Sequence, residues 1–453
     1  MVSKIPFMKF SIGLLCLLSF ICSDHILTSQ SLEVELSNGG IVFPSMSLDE
    51  RNALTPNTGQ CIFNIESNTL DCYDGADWIS MLNDREFQID QSPKTQSVLR
   101  PVDFTNVEAY GQSTHIDGAN LIVGDPFDED KGAVYIYTYN GLEWIQKAFL
   151  TEEDGDSDYQ FGYSVFLEGD VAIVGAPLSR NNNEETGAVY SFKQDGSSWI
   201  PQDTIHAIDG GDADRFGESI SMHDEFLIVG SPRSSNDGDA RGRVYIYELI
   251  EDKWSLDTIL TPTSNDTDTF GQRVVSSRGY IVVANEDYSR ETDSVYIYKR
   301  TGEAWSLIKS LRSESDLSEF GPTLALEGSE LYVTGRKTTD EVDTDYIFVF
   351  KETLDGDWKE VQAIEFDEPS AFYSDIRLAA TDNLLVTAYY SRQNGGVVMS
   401  YHRNGSDWKL KNRFTPFGTS SLIHSLSLSN DCMALGMREF TTDNIEFGGI
   451  FIY

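Results

Sequence analysis

The sequence predicts an all-β chain: a seven-bladed β-propeller of four-stranded antiparallel blades, closed by an N-terminal strand and preceded by a small β-rich module. Three observations predict it. One unit recurs seven times, starting at Tyr110, Phe161, Phe216, Phe270, Phe320, Phe372 and Leu422, so that the starts lie 50 to 55 residues apart. Each copy holds four short runs rich in Val, Ile, Tyr and Phe with period-two alternation, divided by Gly, Asp, Asn and Ser clusters, the pattern of an antiparallel meander. A strand-like run ahead of the first copy supplies the outermost strand that the last copy lacks.

Composition sets the outer bounds. The 453 residues carry 33 Lys and Arg against 73 Asp and Glu, a formal charge of 33 − 73 = −40, with 40% hydrophobic and 12% aromatic residues. That apolar content is enough for a large core, and disorder is excluded despite the charge. A field of this sign repels phosphate backbones and anionic headgroups, so nucleic acid is not an expected partner. Cations and basic surfaces are favoured.

The elements then follow in chain order. Lys4 and Lys9 precede the apolar run from Phe10 to Cys22, the charged front and short apolar middle of a secretory signal. The run is too short for a comfortable span. Residues 1–30 are therefore read as a signal peptide cleaved between 23 and 30, a retained anchor being the alternative. The mature chain is expected to be secreted or held at the cell surface, with no transmembrane segment after signal removal. Residues 31–92 form a separate module of lower hydrophobicity. It contains Gly39-Gly40-Ile41-Val42-Phe43-Pro44 and a hairpin from Cys61 to Trp78. With Cys16 and Cys22 lost in the signal, Cys61 and Cys72 form a close pair suited to a disulfide in an oxidising space. Two reduced thiols are the alternative. Cys432 falls in an apolar strand pattern and reads as a small core residue.

Residues 93–453 are the ring. A four-stranded sheet cannot bury both faces alone, and radial stacking into a closed circle leaves few edges exposed. Tyr453 ends the third strand of the seventh unit. Leu99 and Leu150 both lie eleven residues before their unit's aromatic, so the segment Gln96 to Arg100 is placed as the fourth strand of the seventh blade. Six units carry a Trp after a turn that holds a Gly in every case but the third: Trp144, Trp199, Trp254, Trp305, Trp358 and Trp408. Their fixed place in the fourth strand favours packing between blades over stacking on a ligand.

The repeated series, Phe161-Gly162 through Val174-Gly175-Ala176-Pro177 to Gly187-Ala188-Val189-Tyr190, resembles the FG-GAP repeat of integrin α-subunits and of many exported bacterial proteins. The likeness spans about 94 to 453, strongest in the second and third copies. The text Gly39 to Met46, Glu50-Arg51-Asn52-Ala53 and Cys72-Tyr73-Asp74-Gly75-Ala76-Asp77-Trp78 is similar to a module of bacterial surface-protein stalks and tail fibres. These resemblances imply an extracellular binding or adhesion protein. The family's calcium loop, Asp-x-Asp-x-Asp-Gly between first and second strands, has only Glu168-Gly169-Asp170 in its place. Calcium is not carried over from the family.

Two residue patterns remain as candidate sites. Acidic clusters precede the Phe-Gly at Asp154, Asp156 and Asp158, at Asp209, Asp212 and Asp214, and at Asp266 and Asp268. Alternating carboxylates around Gly can fold round calcium, though no cluster holds a complete ligand series. Weak calcium binding is one reading, and solvated acidic turns the other. Arg180, Arg233, Arg290, Arg336, Arg392 and Arg438 follow the Gly-Ala-Pro position in six units. A ring of guanidinium groups would grip carboxylate or sulfate on a glycan or protein ligand. Pairing of each Arg with the acidic loop beside it is the alternative. Catalytic motifs are absent, and His206, His223 and His424 share no spacing. The sequence thus points to a non-catalytic binding protein, with a carbohydrate-active lyase or hydrolase second and a structural envelope component third.

Overall fold

The computed structural model describes the strand backbone of 35–37, 40–42, 45–46, 61–64, 69–73 and 78–80, and then 97–453. Within the latter it leaves out 102–108, 129–130, 153–158, 183, 237–238, 263–268, 286–293, 313–316, 318, 340–341, 368–369, 371–375, 392–393, 417–421, 430–431 and 443–444. Two compact units result, Met1–Gln88 and Ile89–Tyr453. In the first, Glu35–Ser37 pairs with Gly40–Val42. A four-stranded sheet places Ser45–Met46 parallel to Cys61–Asn64, followed by Thr69–Tyr73 and Trp78–Ser80. Cys61 stands directly opposite Cys72 in that ladder. Opposed Cα atoms in such a ladder are about 4.5–5.5 Å apart, within the range a disulfide spans.

The second unit is the expected propeller: seven antiparallel sheets of four strands. Blade two is representative, with strands Ser164–Glu168, Val171–Ala176, Ala188–Asp195 and Ser198–Ile205. Its second strand is buried along its whole length, as an apolar run between two sheet neighbours and two blade neighbours must be. The first strands touch one another in cyclic order, blade seven returning to blade one, so the ring is closed. Blade seven comprises Leu422–Leu428, Met433–Thr442, Ile445–Ile452 and, from the front of the unit, Ser97–Leu99. Leu99 pairs with Ile450 as Leu150 pairs with Val134, so the expected closure is realised in its expected register.

The Phe-Gly and Gly-Ala-Pro residues make the seam between blades. Phe161, Phe216 and Phe270 are fully buried and form parallel bridges to Gly132, Gly187 and Gly242 of the preceding blade. Gly162 has φ +93°, and a Cβ there would lie 2.6 Å from the Ala133 carbonyl oxygen. Its own carbonyl rests against Gly124, where any Cβ would overlap it. Ser113 Oγ donates to that same carbonyl at 2.7 Å, Ser164 Oγ to Gly217 O at 2.7 Å, and Ser425 Oγ to Gly111 O at 2.8 Å. The tryptophans reinforce the seam as the sequence implies. Trp254 Nε1 donates to Ser191 Oγ of the preceding blade at 3.0 Å, and Trp305, Trp358 and Trp408 meet Phe226, Tyr280 and Tyr332 edge-on. Cys432 is partly buried against the core shared by blades seven and one.

Candidate functional site at the axial mouth

Two sets of loops share one face of the ring, those before each Phe-Gly and those joining second to third strands. Backbone bonds tie them together: Leu178 N to Tyr159 O at 3.3 Å, Ala213 N to Glu185 O at 3.0 Å, and Arg233 N to Asp214 O at 3.3 Å. The sequence-predicted arginines fare differently there. Arg180 pairs with Glu185 of its own loop at 2.7 Å, both half exposed. Arg233 is exposed. Arg336 lies in the second strand of blade five, Glu330–Thr339, rather than in a loop. It is buried, with Nε donating to Asp345 Oδ1 at 2.6 Å and Nη2 to Asp345 Oδ2 at 3.0 Å and Ser370 Oγ at 2.8 Å. This bidentate pair is a structural clamp. Arg438 also belongs to a second strand, and its side chain, like Arg290 and Arg392, lies outside the described residues.

The acidic loop before blade three is likewise committed to the fold. Asp209 accepts from Tyr245 Oη at 2.7 Å and from the guanidinium of the buried Arg243. Asp212 accepts from Glu185 N at 2.9 Å, and the buried Asp214 from Gly211 N at 2.7 Å. Burial pushes the Asp214 carboxyl up, opposed by the Gly211 amide and by Ser234. Among the described residues no three His, Cys, Asp or Glu side chains converge as metal ligands. First and second strands are joined by tight two-residue turns, as at Gly169-Asp170, where Gly169 N donates to Asp117 Oδ2 of the preceding blade at 2.8 Å. Asp154, Asp156, Asp158, Asp266 and Asp268 lie outside the described residues.

A constellation that the sequence reading missed lies at the axis of this face. The residues after the Phe-Gly pairs are Tyr163 in blade two, Glu218 in blade three and Gln272 in blade four. The next position, opposite the Gly-Ala-Pro glycine, is Ser113, Ser164, Ser219 or Ser425 in four blades but Arg273 in blade four and Arg377 in blade six. In those two blades the facing glycine is replaced by Ala284 and Ala388. Arg215 Nη1 meets Glu218 Oε2 at 3.3 Å, and Gln272 Nε2 donates to Glu218 Oε1 at 3.4 Å. Arg273 Nη1 donates to Gln272 O at 3.1 Å, and Arg377 Nε spans the seam to His424 O at 2.6 Å. Burial pushes the Tyr163 phenol up and Glu218 adds to the shift, while Arg273, Arg215 and Arg377 oppose it. The first strands of the blades that carry Glu218, Arg273 and Arg377 contact their neighbours round the inside of the ring, and the charges that bear on the Tyr163 phenol come from blades three, four and six. Aligning the seven units by strand position would have exposed the pattern, since two Arg replace Ser in an otherwise small-residue column.

Comparison with known proteins agrees with this architecture. The FG-GAP repeat family profile matches residues 144–192 and 199–247, and a phage tail like trimerisation region matches 21–98. Integrin alpha-4 of Xenopus laevis is 34% identical over 147 residues, covering 29% of this chain and 14% of the integrin. Human integrin alpha-11 is 26% identical over 285 residues, covering 56% of this chain and 23% of the integrin. The chain thus matches less than a quarter of the length of these relatives. In fold alone, it is similar to a chain in the crystal structure of a mitotic checkpoint complex at TM-score 0.50 and 10% identity, covering 80% of this chain and 95% of that one.

Proposed function

We propose that this seven-bladed propeller, two stretches of which match the FG-GAP repeat family and which is similar in part to integrin α-subunits, is a non-catalytic binding or adhesion protein, secreted or held at the cell surface. Its ligand is a glycan or protein, and its recognition surface is the face on which the Phe-Gly loops and the axial mouth lie. The observation that carries this reading is charge placement. In a chain of net charge −40, Arg215, Arg273 and Arg377 all act on the Tyr163 phenol, and Arg233 is exposed on the same face. Scattered cations would merely offset the acidic surface, whereas a convergent set prepares a site.

The N-terminal region completes the proposal. The match to a phage tail like trimerisation region supports three chains joined through residues 21–98. Three propellers on one stalk turn a modest single-site affinity into avidity. The opposed Cys61 and Cys72 are proposed to close a disulfide there, consistent with export. Calcium enters the reading only through the acidic clusters at 154–158 and 266–268. The test is an array of polysaccharides and extracellular proteins probed with the full chain. Retention without new reducing ends is expected. Cleavage of a retained glycan would instead establish a carbohydrate-active enzyme, and silence across the array would leave a structural envelope role.

A further inference from the structure

We infer that Asn404 is a site of spontaneous covalent modification: the amide nitrogen of Gly405 closes on the Asn404 side chain, and the residue ages to a mixture of aspartate and isoaspartate. The chain contains four Asn-Gly pairs, beginning at Asn38, Asn140, Asn394 and Asn404. Such pairs are prone to this closure because glycine has no Cβ to hinder the attacking nitrogen. The first lies outside the described residues, and the structure separates the other three. The step balances with water as its only co-reactant. Gly405 N bonds to Asn404 Cγ, the side-chain nitrogen leaves as ammonia with the proton that the backbone amide gives up, and a succinimide ring remains. Water then opens the ring at either carbonyl, giving aspartate or isoaspartate.

Asn404 stands opposite Asp407 in the outer hairpin of blade six, with Gly405 and Ser406 as the two turn residues. Gly405 has φ +67°, and a Cβ there would meet nothing within 4 Å. Ladder bonds of a two-residue hairpin join its first and fourth residues, so the Gly405 N–H stands outside them. Asn404 is exposed, and among the described residues nothing holds its carboxamide. The other two pairs are restrained. Asn140 Oδ1 accepts from Leu142 N at 2.8 Å and from Glu143 N at 2.9 Å. Attack must come along the normal to the carboxamide plane, and these two bonds keep that plane from turning to the nitrogen. Asn394 precedes Gly395, which is buried in the third strand of blade six at φ +75°, so its nitrogen belongs to packed backbone. Modification at Asn404 also bears on a seam between blades. Its neighbour Arg403 pairs with Glu330 of blade five and lies over the Trp408 ring at 4.4 Å. Isoaspartate adds a methylene to the main chain directly after Arg403, in a hairpin whose loop length sets the register.

The full chain, incubated at mildly alkaline pH both folded and in concentrated urea, tests this. Peptide mass spectrometry follows the amide-to-acid conversion, and enzymatic methylation specific for isoaspartate identifies the isomer. In the folded protein Asn404 is expected to convert about tenfold or more faster than Asn140, since two hydrogen bonds must open at Asn140 and none at Asn404. In urea the two rates should converge, because the restraint is lost with the fold. Asn404→Gln, which cannot close the same ring, is expected to lose the methyl label from that peptide alone. Equal rates in the folded protein, faster conversion at Asn140 or Asn394, or conversion of Asn404 only in urea overturns the inference. Aged protein is further expected to melt below Asn404→Asp, which gains the same charge without the added methylene; equal midpoints contradict the effect on register.

Discussion

Replacing Gly175 by Ala would put a methyl group into the Gly217 carbonyl of the next blade. Backbone cannot yield as a side chain can, so the expected loss is about 1–3 kcal/mol, read as a lower denaturant midpoint. Ala284 already occupies the corresponding position in blade four, where the seam accommodates its methyl group, so Ala284→Gly is expected to change little. Equal effects at both positions would contradict the seam described. Arg336 invites a sharper test. As part of a ligand ring its loss would spare stability; as the partner of the buried Asp345, Arg336→Ala strands a carboxylate and is expected to cost about 3–5 kcal/mol. The two glycines of the repeat motif were legible as a signature, but their role was not, because each meets a distant residue in another blade, as Gly162 meets Ala133 and Gly175 meets Gly217. The same holds for Arg336: its position in the unit suggested a loop, and only the extension of the second strand to Thr339 reveals a clamp.

At the scale of elements, alternation and spacing gave the four strands of each blade, and the tryptophans were correctly placed between blades, since a large ring at a fixed position in an outer strand has only the neighbouring sheet to cover it. What alternation cannot give is which polar residues meet at the inner strands. His115 illustrates the cost of that meeting. On the first strand of blade one it stacks on Phe166 at 3.9 Å, and its Nδ1 accepts from Leu167 N at 3.3 Å. Burial pushes its pKa from 6.5 down to about 4, against the pull of Asp117. The unfolded chain therefore binds a proton more readily than the folded one. The contribution is complete above pH 6.5 and is lost as pH falls toward 4. His115→Gln, which keeps an acceptor and does not titrate, should lose less stability than the parent across that window. Parallel melting curves of the two proteins between those pH values would contradict the buried neutral imidazole.

For the whole molecule, the count of seven and the closure were readable because the chain supplies three strands at its end and the fourth at its front. The polar contacts between inner strands were not readable, because residues such as Glu218 and Gln272 of neighbouring blades meet only once the blades are stacked. Every functional assignment above depends on that completion, the shared face of the loops first among them. The most direct measurement is a cross-link across the closure. Ser97 stands opposite Ile452 in the ladder, within disulfide reach. The double variant Ser97→Cys, Ile452→Cys, oxidised in its folded state and digested, is expected to yield one peptide pair joining residues 97 and 452, with a melting midpoint at or above that of the parent. A folded double variant whose introduced thiols stay unjoined under oxidation, or form bonds only between chains, would contradict the closed ring.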